Sequence, residues 1–289
     1  MKRLFNSYSV VFLALTVFLV LFRWLYVIGF DDAGTAILGL AAVFLIARFS
    51  GGEISVKSTG KKMTLAAFIV FLAITLAGQT IGSWVYKAME SGFNHFGITM
   101  YGEAPSIQQR QLYDIALLST ISALYGVLFG PITEELLYRS YAAKTFERDG
   151  GKKLAIIVSA AAFAIGHGRF SAGIHTLIAA FATGYIMLEY GFAWAAGFHV
   201  INNLGIVGLD ILLSSLFGAD ASVIAMSVLT AVLVVIAVLI CRKHREEIKA
   251  YIQDNPAPKG EYGKAFLNVG FFAFLAFNIW KAVNALLPL

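Results

Sequence analysis

The chain alternates between long apolar runs and short polar connections. The runs lie at residues 9–30, 34–49, 63–86, 112–141, 153–168, 173–190, 192–216, 222–241 and 264–287. Most of them reach the ~20 residues that a helix needs to cross the hydrocarbon core of a bilayer, although the runs at 34–49 and 153–168 are shorter. The pattern predicts an all-α, polytopic membrane helix bundle of about eight or nine spans, forming one domain over residues 1–289.

Two segments at the edges of these runs need an interpretation of their own. The first run continues through RWLYVIGF without a small-x-small cleavage site, so we expect a retained first span rather than a signal peptide. The segment 87–111 is less apolar, and we expect it to lie at the outer membrane interface as a loop or an amphipathic helix.

Basic residues concentrate in alternate connections between the runs. They are Lys2, Arg3, Lys57, Lys61, Lys62, Lys144, Arg148, Lys152, Lys153 and the stretch CRKHREEIK from Cys241. The connections around residues 31–32 and 218–220 are poor in lysine and arginine. Because cytoplasmic loops of membrane proteins carry an excess of both, we expect a multi-pass protein of the plasma membrane with its N-terminus in the cytoplasm.

The composition agrees with a membrane protein. Hydrophobic residues make up 59% of the chain and charged residues only 13%, and the mean hydropathy is +0.77. A soluble domain carries roughly 25% charged residues, so a soluble protein is excluded. The net charge is +5, and the basic residues lie in the connections between the apolar runs. This distribution argues against a nucleic-acid partner. With Cys241 as its one cysteine, the chain has neither an internal disulfide nor a cysteine-rich metal site.

The first polar cluster within the apolar runs lies in FGPITEELLYRSY, residues 129–141. Ionisable residues inside membrane helices are costly and mark candidate functional sites. Glu135 and Arg139 are four positions apart, which suits an ion pair. Adjacent residues of a helix point ~100° apart, so we expect Glu134 and Glu135 not to face one pocket squarely. Glu134 is thereby left for another task. The alternative is that all three form a solvated helix end.

Two histidine motifs lie in later runs. FAIGH places Phe163 and His167 four positions apart, and HVINN places His199 and Asn203 four positions apart on one helix face. The side chains of His199 and Asn203 can both donate hydrogen bonds. Each motif taken alone also fits polar contacts between helices, which are common in membrane bundles.

A glycine pair, Gly150–Gly151, separates the run that contains Glu134 from the run that contains His167. Each of these two residues lies about 16 positions from the pair, so in an antiparallel hairpin they stand at nearly the same depth. Glu134 and His167 could then share one water molecule. Since polar groups at this depth are tolerated where they line a wet cavity, we expect a polar cavity within the membrane.

A carboxylate, two histidines and an asparagine together suit the hydrolysis of a peptide bond. A buried carboxylate can take a proton from water, helped by a neighbouring imidazole. Two donors on one helix face can stabilise the negative charge that develops on the carbonyl oxygen. On this interpretation Glu134 and His167 serve the water, and His199 and Asn203 form an oxyanion hole.

Other hydrolytic centres have less support. The chain contains neither the GxSxG motif of a serine nucleophile nor the HExxH motif of a zinc protease. Cys241 is far from the cluster in sequence. Glu134, His167 and His199 would nevertheless form a His₂Glu set, which is a combination that binds catalytic zinc. The sequence leaves this alternative open.

The three motifs, in this order, resemble the signature of a known family. EELLYR matches EExxxR, FAIGH matches FxxxH and HVINN matches HxxxN. Over residues 112–215 the chain is similar to the CAAX protease and bacteriocin-processing family of intramembrane proteases, which includes the CAAX prenyl endopeptidase. Each motif alone is a weak signal, whereas three in order on separate apolar runs are specific.

The resemblance implies an intramembrane endopeptidase that acts near the cytoplasmic membrane face on a prenylated CAAX C-terminus or a short membrane peptide. It implies that Glu134 and His167 activate water and that His199 and Asn203 form the oxyanion hole. The residues implied to give structural support are Glu135, Arg139 and Phe163. It implies no cofactor, with zinc as the alternative. The implied partners are the lipid bilayer and a membrane-associated peptide or protein substrate, in a monomer or a dimer.

Two other functions stay open on the sequence. A non-catalytic scaffold or bacteriocin-immunity protein would use the fold to bind a partner, but it would not need all four catalytic side chains. A transporter would use buried glutamate and histidine to relay protons, but the chain shows no internal repeat of the kind that many transporters have. The scattered charges Glu189 and Lys281 are interpreted as packing residues.

Overall fold

The computed structural model describes residues 6–28, 32–52, 54–98 and 125–286. The helices are α1 (Ser7–Val27), α2 (Asp32–Ser50), α3 (Leu65–His95), α4 (Gly130–Glu134), α5 (Lys144–Gly166), α6 (Phe170–Tyr190), α7 (Phe192–Phe217), α8 (Ala219–Lys243), α9 (Arg245–Asp254), α10 (Glu261–Phe266) and α11 (Val269–Leu286). Two π-helical stretches, Tyr125–Phe129 and Glu135–Ala143, flank α4. The predicted all-α membrane bundle is confirmed.

Five helices within the described ranges are long and apolar enough to cross a membrane. They are Ser7–Leu25, Leu65–His95, Ala172–Tyr190, Phe192–Phe217 and Ala221–Lys243. Two shorter apolar helices cover Ile37–Phe49 and Val269–Asn284. All of these coincide with predicted apolar runs. The total of eight or nine crossings stays a prediction, because the run at 112–141 begins outside the described residues.

Helix α3 begins at Leu65, two residues after the start of the predicted apolar run, and ends nine residues after the end of that run. The side chain of Thr64 caps its first turn by accepting a hydrogen bond from the backbone N–H of Ala67. The helix then runs for 31 residues to His95, or roughly 46 Å, which exceeds the ~30 Å hydrocarbon core. The helix therefore continues past the apolar run into the first nine residues of the 87–111 segment. The remainder of the 87–111 segment, from residue 99, lies outside the described residues.

Gly151 interrupts the helical path between the Glu134 region and His167, as the glycine pair predicted. Its φ of 78° lies in the left-handed region that residues with a Cβ rarely adopt. On either side of it the chain packs against itself, with the rings of Tyr138 and Phe163 in edge contact at 5.1 Å between centroids. These two residues lie at similar distances from Gly151 along the chain. The segments therefore form the expected antiparallel hairpin.

The centre of the bundle is built from aromatic side chains of α1, α5 and α11. The ring of Phe12 lies 5.8 Å from that of Phe146 and 5.5 Å from that of Phe274, and all three side chains are fully buried. The hydroxyl of Ser9 accepts a hydrogen bond from the backbone N–H of Gly270 at 2.9 Å. Helices in lipid gain little from the hydrophobic effect, so close packing and such hydrogen bonds hold them together.

A buried carboxylate links four segments on the side of the bundle that carries the basic connections. Glu189 accepts hydrogen bonds from Lys61 at 2.7 Å, Lys152 at 2.6 Å and the hydroxyl of Tyr251 at 3.0 Å. Its backbone carbonyl accepts another from the hydroxyl of Thr59 at 2.7 Å. We call Glu189, Lys61, Lys152 and Tyr251 the Glu189 clamp. This arrangement agrees with the interpretation of Glu189 as a packing residue.

Candidate active site

Glu134 and Glu135 lie where α4 passes into the second π-helical stretch. π-helical turns are rare and occur frequently at functional sites. The side chain of Glu134 is 36% exposed, whereas that of Glu135 is completely buried. The two neighbouring carboxylates therefore occupy different environments, and Glu134 is the one that an incoming water or substrate can reach.

Glu135 and Arg139 form the ion pair that their spacing predicted. The Nε of Arg139 lies 3.5 Å from Oε2 of Glu135, and neither side chain is exposed. The guanidinium also donates two hydrogen bonds to the hydroxyl of Thr183 on α6, from Nε at 3.1 Å and from Nη2 at 2.5 Å. It stacks over the ring of Phe163 at 4.4 Å. The pair thus joins residues 130–143, which we call the Glu134 segment, to α5 and α6.

His199 on α7 lies between the two carboxylates. Its Nδ1 is 2.9 Å from Oε1 of Glu135, and its Nε2 is 3.7 Å from Oε2 of Glu134. The two glutamates therefore contact one imidazole from different sides, with Glu134 on the exposed side and Glu135 on the buried side. The nitrogens of an imidazole lie on opposite edges of the ring, so one histidine can receive adjacent carboxylates that diverge along their helix.

The contact with Glu135 fixes the orientation of the imidazole. A carboxylate behind one nitrogen of a histidine sets the tautomer and aims the other nitrogen. Here the Nδ1–H of His199 donates to Glu135, and Nε2 faces Glu134. The 3.7 Å gap is too long for a direct hydrogen bond, but a water molecule that bridges the two atoms at ~2.8 Å from each fits this separation.

Asn203 lies one turn after His199 on α7, as its spacing predicted. Its Nδ2 donates a long hydrogen bond of 3.5 Å to the backbone carbonyl of Gly126 in the first π-helical stretch. An amide nitrogen carries two protons, so the second can be donated elsewhere. His199 and Asn203 therefore lie on one face of α7 beside the Glu134 segment.

The ring of Phe163 packs against the side chains of both histidines. Its centroid lies 4.7 Å from that of His167 and 5.9 Å from that of His199, and both contacts are edge to face. The Nδ1–H of His167 donates to the carbonyl of Phe163 at 2.9 Å, which leaves Nε2 as an acceptor in the neutral ring. Lys281 on α11 donates to the carbonyl of Gly166 at 3.0 Å, next to His167.

The structure brings the predicted residues into one region, and the sharing of one water molecule by Glu134 and His167 stays a prediction. In the part of the chain that is described, Glu134 contacts His199, and no hydrogen bond or ion pair joins Glu134 to His167. Phe163 connects the two histidines. Sequence reasoning missed Thr183, because a single threonine in an apolar helix is a common residue that carries no motif.

The arrangement of the same residues bears on the zinc alternative. Among the described residues, no group of three or more histidine, cysteine, aspartate and glutamate side chains is placed to hold a metal ion. Glu134, His167 and His199 are all described, and they do not converge on one point in this way. The absence of a cofactor stays a prediction.

Together, the helical fold and this cluster define a polytopic membrane protein with carboxylate, imidazole and amide groups gathered between its helices. Residues 116–205 match the family model described as "Type II CAAX prenyl endopeptidase Rce1-like". The matched segment covers roughly a third of the chain and contains Glu134, His167, His199 and Asn203. No curated protein and no solved structure gave a match.

The match confirms the resemblance that the three motifs predicted. It is consistent with the CAAX protease and bacteriocin-processing family, and it supports an intramembrane protease of CAAX type for this chain. Together with the apolar helices, the family match supports an integral membrane protein. The match also supports membrane-associated, prenylated proteins as the general class of substrate.

Proposed function

We propose that this protein is an intramembrane endopeptidase that uses a water molecule activated by Glu134. The substrate is a prenylated CAAX-type C-terminus or a short membrane peptide. Cleavage takes place near the cytoplasmic face of the plasma membrane, and the N-terminus of the enzyme lies in the cytoplasm. The observation that carries the proposal is the position of His199 between Glu134 and Glu135, with Nε2 3.7 Å from Glu134.

In the proposed reaction, Glu134 accepts a proton from the water as its oxygen adds to the carbonyl carbon of the substrate. The carbonyl π electrons move to the oxygen, which becomes an oxyanion. The Nε2–H of His199 and the Nδ2–H of Asn203 donate to that oxyanion, and one such donor is typically worth ~3 kcal/mol of transition-state stabilisation. The C–N bond then breaks, and the proton held by Glu134 passes to the leaving amine.

The contacts of the two histidines support different roles for them. The Nδ1–H of His199 donates to Glu135, so a donor at Nε2 requires a second proton on the ring. His167 has its Nδ1–H held by the carbonyl of Phe163, so its Nε2 is available to accept from the same water. Glu135, Arg139 and Phe163 act as positioning residues.

We further propose that the reaction does not use a bound metal ion. The support is that His199 and His167 each have one nitrogen engaged by the protein and do not converge with Glu134 as a ligand set. If zinc were required, dialysis against a chelator would abolish activity and added zinc would restore it. We expect undiminished activity after chelation, with total metal measured on the same sample.

The proposed substrate class is tested with two peptides of identical sequence. The purified full chain in lipid nanodiscs is incubated with a farnesylated CAAX peptide and with its unprenylated counterpart, and the products are identified by mass spectrometry. We expect cleavage of the farnesylated peptide after the modified cysteine. If both peptides stay intact under conditions where the protein is folded, the CAAX assignment fails. Equal cleavage of both peptides would support the peptidase activity but would contradict a requirement for the prenyl group.

A further inference from the structure

A groove opens between α3 and α8, away from the candidate active site, with a volume of about 510 Å³. The two helices meet at Thr80 and Thr230, whose hydroxyl oxygens are 3.4 Å apart. From that contact towards the basic connection after α8, the small residues Ala73 and Ala237 line the groove and are buried. Small side chains leave room between the helices where larger ones would fill it.

The walls of the groove suit a hydrocarbon chain. They include Val70, Ile74, Val234 and Val238. From Val234 to Arg242 the groove follows α8 for ~12 Å, which lies within the ~15 Å that one leaflet contributes to the hydrocarbon core. Val238 lines the groove and is 46% exposed, so the groove is open to the bilayer at this residue, and the outer face of α8 is also apolar.

The mouth of the groove is positively charged. Arg242 and Arg245 line it, and both are exposed. Arg245 lies 3.4 Å from Glu246, but both side chains are about three-quarters exposed, and such a surface pair is weak. No ion pair of Arg242 is found among the described residues. Arginine binds phosphate through two parallel N–H donors, so the mouth complements an anionic phosphate at the membrane surface.

We propose that the α3–α8 groove binds an anionic phospholipid of the cytoplasmic leaflet. One acyl chain lies between α3 and α8, and the phosphate receives hydrogen bonds from Arg242 and Arg245. Basic residues next to the cytoplasmic end of a membrane helix attract anionic lipid, and here they stand at the open end of an apolar groove. The inference is independent of the proteolytic function, because the groove shares no residue with the candidate active site.

The test measures lipid binding to the purified full chain by native mass spectrometry, with phosphatidylglycerol and phosphatidylcholine as probes. We expect wild type to bind phosphatidylglycerol more tightly than phosphatidylcholine. The double variant Arg242→Gln, Arg245→Gln should lose ~30-fold in affinity for phosphatidylglycerol, at ~5-fold per arginine. It should lose less affinity for phosphatidylcholine, because the choline cation of that lipid offsets the charge of its phosphate.

A matched control and a second variant separate the groove from general surface charge. Lys249 and Lys259 are exposed and lie outside the groove, so the variant Lys249→Gln, Lys259→Gln should bind both lipids as wild type does. Val238→Trp narrows the groove at a half-exposed position and should weaken the binding of both lipids. Equal binding of the two lipids by wild type, unchanged phosphatidylglycerol binding by the arginine variant, or unchanged binding by Val238→Trp would each overturn the proposal.

Discussion

Glu135 holds the geometry of the candidate site together more directly than the other residues of the EExxxR motif do. It is completely buried, contacts Nδ1 of His199 at 2.9 Å and pairs with Arg139 at 3.5 Å. Arg139 is in turn fixed by Thr183. A buried ion pair contributes little net stability over an apolar alternative, but removing one partner leaves an uncompensated charge.

Replacing Glu135 by glutamine should therefore destabilise the fold as well as the site. The buried guanidinium of Arg139 would lose its countercharge, and we expect the free energy of unfolding to fall by ~3 kcal/mol. Glu134→Gln is the matched control, because its side chain is one-third exposed and should leave stability nearly unchanged. Thermal unfolding of both variants in the same detergent checks this. Equal melting temperatures would contradict the division between a structural and a reactive glutamate.

The residues of the site were predictable, but some of their connections were not. The motif spacings placed Glu135 with Arg139 and His199 with Asn203, because helical geometry fixes which residues share a face. The contact of both glutamates with one imidazole depends on where α7 packs against the Glu134 segment. That is a property of the assembled bundle, and no local spacing encodes it.

At the scale of the helices, the change from α4 to the π-helical stretch at Glu135 sets the directions of the two carboxylates. This change was not predictable, since π-helical turns have no sequence pattern as clear as the apolar period of an α-helix. The turn at Gly151 was predictable, because a glycine pair between two apolar runs is a strong signal for reversal.

The conformation of Gly151 gives a testable cost. An added Cβ would meet only the carbonyl oxygen of Pro256, at 3.8 Å, so Gly151→Ala introduces backbone strain without crowding. At a φ of 78° we expect a loss of ~1–2 kcal/mol in unfolding free energy. Gly92→Ala, in open space within α3, should be neutral or slightly stabilising. Thermal unfolding of the two variants distinguishes them. A melting temperature of Gly151→Ala at or above that of wild type would contradict the left-handed turn at Gly151.

At the scale of the whole molecule, the candidate active site and the Glu189 clamp are among the places where polar contacts join several helices. The candidate active site joins the Glu134 segment, α5, α6 and α7. The Glu189 clamp joins the loop before α3 to α5, α6 and α9. In lipid such contacts carry much of the specificity of helix association. The sequence marked Glu189 only as a scattered charge, because its partners come from three distant segments.

Replacing Glu189 by glutamine should loosen the clamp without touching the site. We expect a loss of about 1–2 kcal/mol in unfolding free energy, since both lysine partners are partly exposed. The hydrogen bond and the charge of Glu189 raise the pKa of Lys61 above its ordinary value. The contribution of Lys61 is therefore present at neutral pH and is lost only as the pH rises through that raised value. Glu246→Gln, at an exposed pair, is the control for thermal unfolding. Loss of stability in both variants alike, or in neither, would contradict the clamp.

The central claim is that Glu134 activates the water that cleaves the substrate. The most direct measurement compares wild type with Glu134→Gln on a fluorogenic farnesylated CAAX peptide, with both proteins matched for melting temperature. We predict that wild type cleaves the peptide and that kcat falls by at least ~10³-fold in the variant while KM changes little. Turnover by Glu134→Gln at the wild-type rate would contradict the account.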